Sequence, residues 1–240
     1  MKLPAAPPSF VVRQWEQIFS ARGSCLIAAV IVLIQLVVSF LGGAFEVAGW
    51  YKEFGLSRDG FFSGKVWQLL TYGLLHGSWW HVGINAMLLV GIGSRVEVIL
   101  GIKAMTRVLL FGVLVGGVGH LCISDSLLVG ISGGCFALLL LLFTLSPESR
   151  MFPLPVSARN LGWGIVITEV LLVLIHPSLN IPGFKSIGET LIAGGAGDLL
   201  KMSHACHIGG ALAGWLCGRW LLRNRVSLEV LQRQRASRES

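Results

Sequence analysis

The stretch LLVGISGGCFALLLLLFTL, Leu127 to Leu145, decides how this chain folds. No charged residue interrupts it, and its length is close to the ~20 residues a helix needs to cross a hydrocarbon core. Five further runs resemble it: Cys25–Phe45, His81–Leu100, Met105–Ile123, Leu161–Ile175 and Ala205–Leu222. Of these, Leu161–Ile175 is the shortest and is broken by Glu169. With 54% hydrophobic residues, 13% charged residues and a mean hydropathy of +0.74, the chain has too little charge to clothe a soluble domain of its size. No series of alternating strands argues for a barrel. The reading is an all-α membrane protein, a six-transmembrane-helix bundle over residues 25–222, with a lead at 1–24 and a basic tail at 223–240.

The net charge of +7 is explained by topology and not by nucleic acid. Of the 19 Lys and Arg, 14 fall in the N-terminal lead, in Arg95–Arg107, in Arg150–Arg159 and from Arg219 onward. Lys52, Arg58, Lys65, Lys185 and Lys201 lie on the other side. The positive-inside rule then puts both termini in the cytoplasm, which requires an even number of spans. The expected location is a bacterial-type inner or plasma membrane, with lipid as a constant partner. The first run follows Arg13 and Arg22 but is too long for a cleaved signal peptide, so it reads as a signal anchor. Five scattered cysteines without CxxC spacing read as reduced and structural, a Cys122–Cys206 disulfide being the lesser alternative. The outer loop Ala48–Trp80 is dense in aromatics, which suits a segment lying among lipid headgroups. Glycines in Phe111–Gly119 let helices approach closely.

Spans two, four and six all enter from the outer face in this topology. Their unusual polar residues, His81 with Asn85, Ser132, and His207, therefore share one depth. Polar groups in hydrocarbon are costly and face a bundle interior or a wet cavity. In Gly130-Ile131-Ser132-Gly133-Gly134 the flanking glycines leave the hydroxyl uncrowded beside a helix N-terminus, whose N–H groups suit an oxyanion. The same run also reads as a small-residue packing face. His207 lies one turn before Gly210 in a Gly210-xxx-Gly214 seam, so packing spans four and six together brings it to Ser132. An imidazole accepts a hydroxyl proton near neutral pH, although a headgroup-level histidine is the plainer reading of His207 alone. His81 and Asn85, four apart, present two donors one turn apart and serve equally as interhelical glue.

Taken together, His76-Gly-Ser-Trp-Trp-His81-Val-Gly-Ile-Asn85, Gly93-Ser-Arg-Val-Glu97-Val-Ile-Leu-Gly101, Gly130-Ile-Ser132-Gly133 and His207-Ile-Gly-Gly210-Ala-Leu-Ala-Gly214 resemble the rhomboid intramembrane proteases, in family order over Trp67–Gly214. The resemblance implies a rhomboid bundle and a serine endopeptidase that cuts single-span or multi-span membrane proteins without a cofactor or metal. It implies Ser132 as nucleophile and His207 as base, with His81, Asn85 and the Ile131–Ser132 backbone at the oxyanion. Gly130, Gly133 and Gly210 would support the site, and Phe136 would stack on the catalytic ring. Rhombosortases, compact relatives that process Gly-rich C-terminal anchors, are not separated from general rhomboids by these motifs.

Two positions depart from the family pattern. Gln68 replaces an Arg after Trp67, which puts the anchoring of the outer loop in question, and Cys206 stands where a small Ala is usual. Two rival functions were weighed. A catalytically silent rhomboid-like protein that binds membrane helices would lack the serine or histidine kept here. A metal or proton transporter would use the histidines gathered near the outer side, among them His204 and His207 at i, i+3, yet HExxH is absent. Glu169 is expected deeper than the Ser–His pair, as a protonated carboxyl bonded to a neighbouring helix and outside any triad.

Overall fold

The computed structural model describes residues 20–148, 150–151, 156–200 and 202–223. The lead up to residue 19 and the tail from 224 lie outside them. Six long helices carry the fold: α1 (Arg22–Phe40), α2 (Trp79–Leu100), α3 (Ile102–Ile123), α4 (Ser132–Leu145), α5 (Ala158–Leu174) and α6 (His204–Arg223). Of the described helices, α1, α2 and α3 are long and apolar enough to cross a membrane, and α4 is apolar but shorter. Large apolar side chains stand exposed on the outside of the bundle, including Leu26, Leu33 and Phe40 on α1, Trp163 and Ile167 on α5, and Leu212 and Trp220 on α6. An apolar exterior over a packed interior is the signature of a protein solvated by lipid. The chain is an integral membrane protein.

The expected fourth span, Leu127–Leu145, is corrected: its helix begins only at Ser132. Gly130 stands at φ +112°, a left-handed backbone that ends any helix approaching from Leu127. The segment before it is extended instead and is tied to the outer loop. Leu128 exchanges both backbone hydrogen bonds with Leu56, and the Gly130 N–H donates to the Tyr72 carbonyl at 2.9 Å. At 1.5 Å per residue α4 is roughly 21 Å long, and Ser132 at its N-terminus is buried. Leu138, Leu139, Leu140, Leu141 and Leu142 are all buried, because the other helices surround α4.

Small residues set how closely those helices approach. A methyl added at Gly210 would lie 2.0 Å from the Gly133 carbonyl oxygen, and one at Gly214 would lie 1.9 Å from that of Ala137. The α6 seam therefore lies backbone on backbone against Gly133 and Ala137, each pair four residues apart. On the other flank, a methyl at Gly112 would strike Ala137 Cβ at 2.3 Å, and one at Gly116 would strike the Cys206 carbonyl at 2.8 Å.

The long-range polar contacts anchor the frame. Glu97 on α2 accepts from the Gly23 and Ser24 N–H groups at 2.9 and 2.7 Å and from the Ser24 hydroxyl at 2.8 Å. It thus caps the exposed N–H groups and positive end of α1, which explains the Glu in the Gly93–Gly101 motif. Gln68 removes the doubt about the outer loop. Fully buried, it donates to the Lys52 carbonyl at 3.0 Å and accepts from the Ser57 N–H at 3.2 Å, anchoring the loop without an Arg. Trp50, Phe62, Trp67, Trp79 and Trp80 around this loop are exposed, as a headgroup-level segment requires. All five cysteines are free, with Cys206 buried and Cys122 exposed. A small antiparallel pair, Arg150–Met151 with Val156–Ser157, joins α4 to α5 and was not foreseen.

Because Gly214 touches backbone and no soft side chain, Gly214→Val should destabilise the bundle by ~1–3 kcal/mol or more. Gly83→Ala, where an added methyl meets nothing within 4 Å, should change little. Thermal unfolding in detergent measures both.

Candidate active site

Ser132 is the first residue of α4, and the leading N–H groups of a helix have no intrahelical partner. Its Oγ lies 2.8 Å from Nε2 of His207, and both residues are buried. The Gly133–Gly210 contact explains the proximity: Ser132 directly precedes Gly133, and His207 lies one helical turn before Gly210, so the close approach brings the two side chains together. Phe136, one turn further along α4, stacks on the His207 ring with centroids 4.3 Å apart and planes 9° apart.

His81 and Asn85 converge from α2 on the same spot. A methyl at Gly130 would lie 2.6 Å from His81 Nε2 and 3.6 Å from Asn85 Nδ2. Only glycine leaves room for that ring, and only glycine accepts that φ comfortably. Asn85 Nδ2 is buried with no hydrogen-bond partner among the described residues. A buried donor left open costs on the order of 1–3 kcal/mol. His76 packs edge-on against His81 with centroids 5.0 Å apart, and its own carbonyl accepts from the Tyr51 hydroxyl at 2.6 Å. Burial and then the His81 ring push the His76 imidazole down to about 3, so it stays neutral at neutral pH. In the sequence His76 appears only as the first residue of the His76–Asn85 run; its contact with the His81 ring becomes visible in the fold.

Glu169 is where the structure departs most from expectation. Its carboxylate does not stand apart from the pair. Oε2 lies 2.6 Å from Nδ1 of His204 and 3.0 Å from Nδ1 of His207. Counted inward from Leu174 and from His204, the two backbones differ by only roughly 3 Å in depth at 1.5 Å per residue, a gap the side chains close. The expected bond to a neighbouring helix exists, with imidazole as partner. Ligand atoms of Glu169, His204 and His207 lie within 4.8 Å of one another. The cluster also reaches Ser132 and the Leu199 carbonyl. His120 is a tie between segments: one ring nitrogen meets Ser203 Oγ at 2.7 Å and the other the Ser126 carbonyl at 2.8 Å. His176 is bonded locally to Ser178.

A cavity of about 1090 Å³ opens over Ser132 and His207 and runs between α2, at Ile84 and Leu88, and α5, at Leu161 and Ile165. Its walls are mainly apolar, with Ser132, His81, Asn85 and His207 among its polar groups.

Fold and site together define a helical integral membrane protein that carries a buried serine–histidine pair. The rhomboid domain model matches residues 63–224, well over half of the chain, and the chain belongs to the rhomboid family. That is a family of intramembrane serine proteases acting on membrane-protein substrates within the bilayer. No curated protein is matched by the chain.

Gly130→Ala would strain the backbone and drive the His81 ring away from the Ser132 N–H. The expected loss of turnover is on the order of ~10–1,000-fold, with a fall in unfolding temperature of a few degrees from the strained φ. Steady-state cleavage and a thermal scan of the same preparation check it.

Proposed function

We propose that this protein is an active intramembrane serine endopeptidase that cuts membrane-protein segments near the outer face of the membrane. The observation that carries the reading is the 2.8 Å contact between Ser132 Oγ and His207 Nε2 at a buried helix N-terminus. Ser132 attacks the scissile carbonyl carbon while its hydroxyl proton passes to His207 Nε2. The carbonyl π pair becomes the oxyanion, met by the Ser132 N–H, His81 Nε2–H and Asn85 Nδ2–H, with the Ile131–Ser132 peptide forming the floor. The imidazolium then gives the Nε2 proton to the leaving amide nitrogen as the C–N bond breaks. Water repeats the sequence to free the acyl-enzyme.

A substrate helix hides its carbonyls in internal hydrogen bonds, so the segment has to unwind before attack. The apolar cavity between α2 and α5 is suited to admit such a segment from the side. A silent helix-binding relative is disfavoured because it would have no use for an unpartnered Asn85 donor beside a bonded Ser–His pair. Six crossings with both termini in the cytoplasm fit the charge distribution, 14 basic residues against five.

Ser132→Ala and His207→Ala are each expected to abolish cleavage of a model membrane substrate and labelling by a serine-reactive fluorophosphonate, with helicity retained. Appreciable activity in Ser132→Ala would refute the mechanism. Reporter fusions at Ser240 and near Gly194 should report opposite sides of the membrane, and a cytoplasmic signal from Gly194 would invert the topology.

A further inference from the structure

A serine–histidine pair needs more than proximity. For the Ser132 hydroxyl to donate to His207 Nε2, as attack requires, the ring proton must sit on Nδ1. The stack with Phe136 fixes the plane of the imidazole. It does not fix which edge faces Ser132, since a half-turn of the ring about its bond to Cβ leaves the plane unchanged and exchanges the two edges. Something on the Nδ1 side has to break that symmetry.

The group that lies there is Glu169. Its Oε2 is 3.0 Å from His207 Nδ1, and that nitrogen has no well-aligned hydrogen-bond partner among the described residues. Glu169 is 8% exposed, and its carboxylate is gripped from the other side by His204 Nδ1 at 2.6 Å. The second nitrogen of His204, Nε2, lies 2.8 Å from the Leu199 carbonyl, an acceptor only, so it carries a proton. One further proton is thus shared between His204 Nδ1 and Glu169 Oε2. Whichever atom holds it, the pair is net neutral, as an ion pair or as two neutral groups. That neutrality is what allows a carboxyl group to be kept at this depth. A clip joining α5 to α6 would be served by His204 alone; it would not require the same oxygen to sit against the proton-bearing edge of the ring that faces the serine.

We propose that Glu169 and His204 are positioning residues for His207. Glu169 holds the Nδ1–H edge, so that Nε2 faces Ser132, and stabilises the imidazolium formed during attack; His204 holds Glu169 in place and balances its charge. The Nδ1 proton stays on His207 throughout, and only the Ser132 proton moves, to Nε2 and then to the leaving nitrogen. The proposal rests on the serine-protease reading above and adds an acid–histidine support to its Ser–His pair.

The test compares the parent with Glu169→Gln, Glu169→Asp and the double variant Glu169→Gln/His204→Gln in detergent, reading kcat, KM, the fluorophosphonate labelling rate and the unfolding temperature. Glu169→Gln is expected to lower kcat and the labelling rate on the order of ~100-fold with KM within about twofold, and Glu169→Asp to recover part of the loss. The double variant, with two neutral amides in place of the pair, should fold and be no slower than Glu169→Gln, because the residues act as a unit. Glu169→Gln turnover within threefold of the parent, or a loss confined to KM or to unfolding temperature, would overturn the proposal. If Glu169→Gln fails to fold, the double variant decides, and near-parent kcat there overturns it. Activity in Ser132→Ala would instead sink the protease reading itself, so the two failures are distinguishable.

Discussion

The backbone contact between α4 and α6, Gly133 against Gly210 and Ala137 against Gly214, is the constraint on which the rest of the molecule depends. Lipid tails are as apolar as leucine, so helices in a membrane gain little by hiding apolar surface from it. Close van der Waals packing takes over that role, and it needs surfaces without side chains. The seam supplies one, α3 adds another through Gly112 and Gly116, and α4 ends up enclosed. Its N-terminus is thereby held away from lipid. Ser132 can remain polar there and meet His207 across a seam that admits no slippage.

With the frame set by small residues, its polar groups fall into two kinds. One kind is fully engaged in holding the frame: Glu97 capping α1, Gln68 inside the outer loop, and His120 between Ser203 and the Ser126 carbonyl. These bonds are strong where water is scarce, and leaving them unmade would be costly. The other kind gathers around Ser132 and is incompletely engaged. Asn85 Nδ2 has no partner, and the His207 Nδ1 edge meets Glu169 without an aligned hydrogen bond. Buried Gln35 Oε1 on α1 also lacks a partner among the described residues, but the other open valences cluster around the serine and its neighbours.

Much of this was legible in the chain itself, for a physical reason in each case. Long, predominantly apolar runs separated by short polar stretches favour helices in lipid, so a helical membrane protein followed from Leu127–Leu145 and its companions. The i, i+4 spacing of Gly210 and Gly214 announced a close contact, and their distance from His207 placed that residue at the partner helix. His81 and Asn85 could be set on one face by the same periodicity. Phe136 was read from family resemblance and stacks as that resemblance implies.

Tertiary structure alone decided what depended on reach and on backbone conformation. A run of apolar residues does not reveal that Gly130 turns left-handed and shortens α4 to begin at Ser132; the extended pairing with Leu56 and Tyr72 settles that. Gln68 looked like a lost anchor because its partners, the Lys52 carbonyl and the Ser57 N–H, are backbone groups that no residue pattern displays. Glu169 looked too deep because depth was counted along helix axes. Side chains extend sideways and along the axis by more than the roughly 3 Å in question, and helix packing determines toward which neighbour they extend. Sequence periodicity therefore determined which residues share a face, whereas the packed bundle decided which faces meet and at what height.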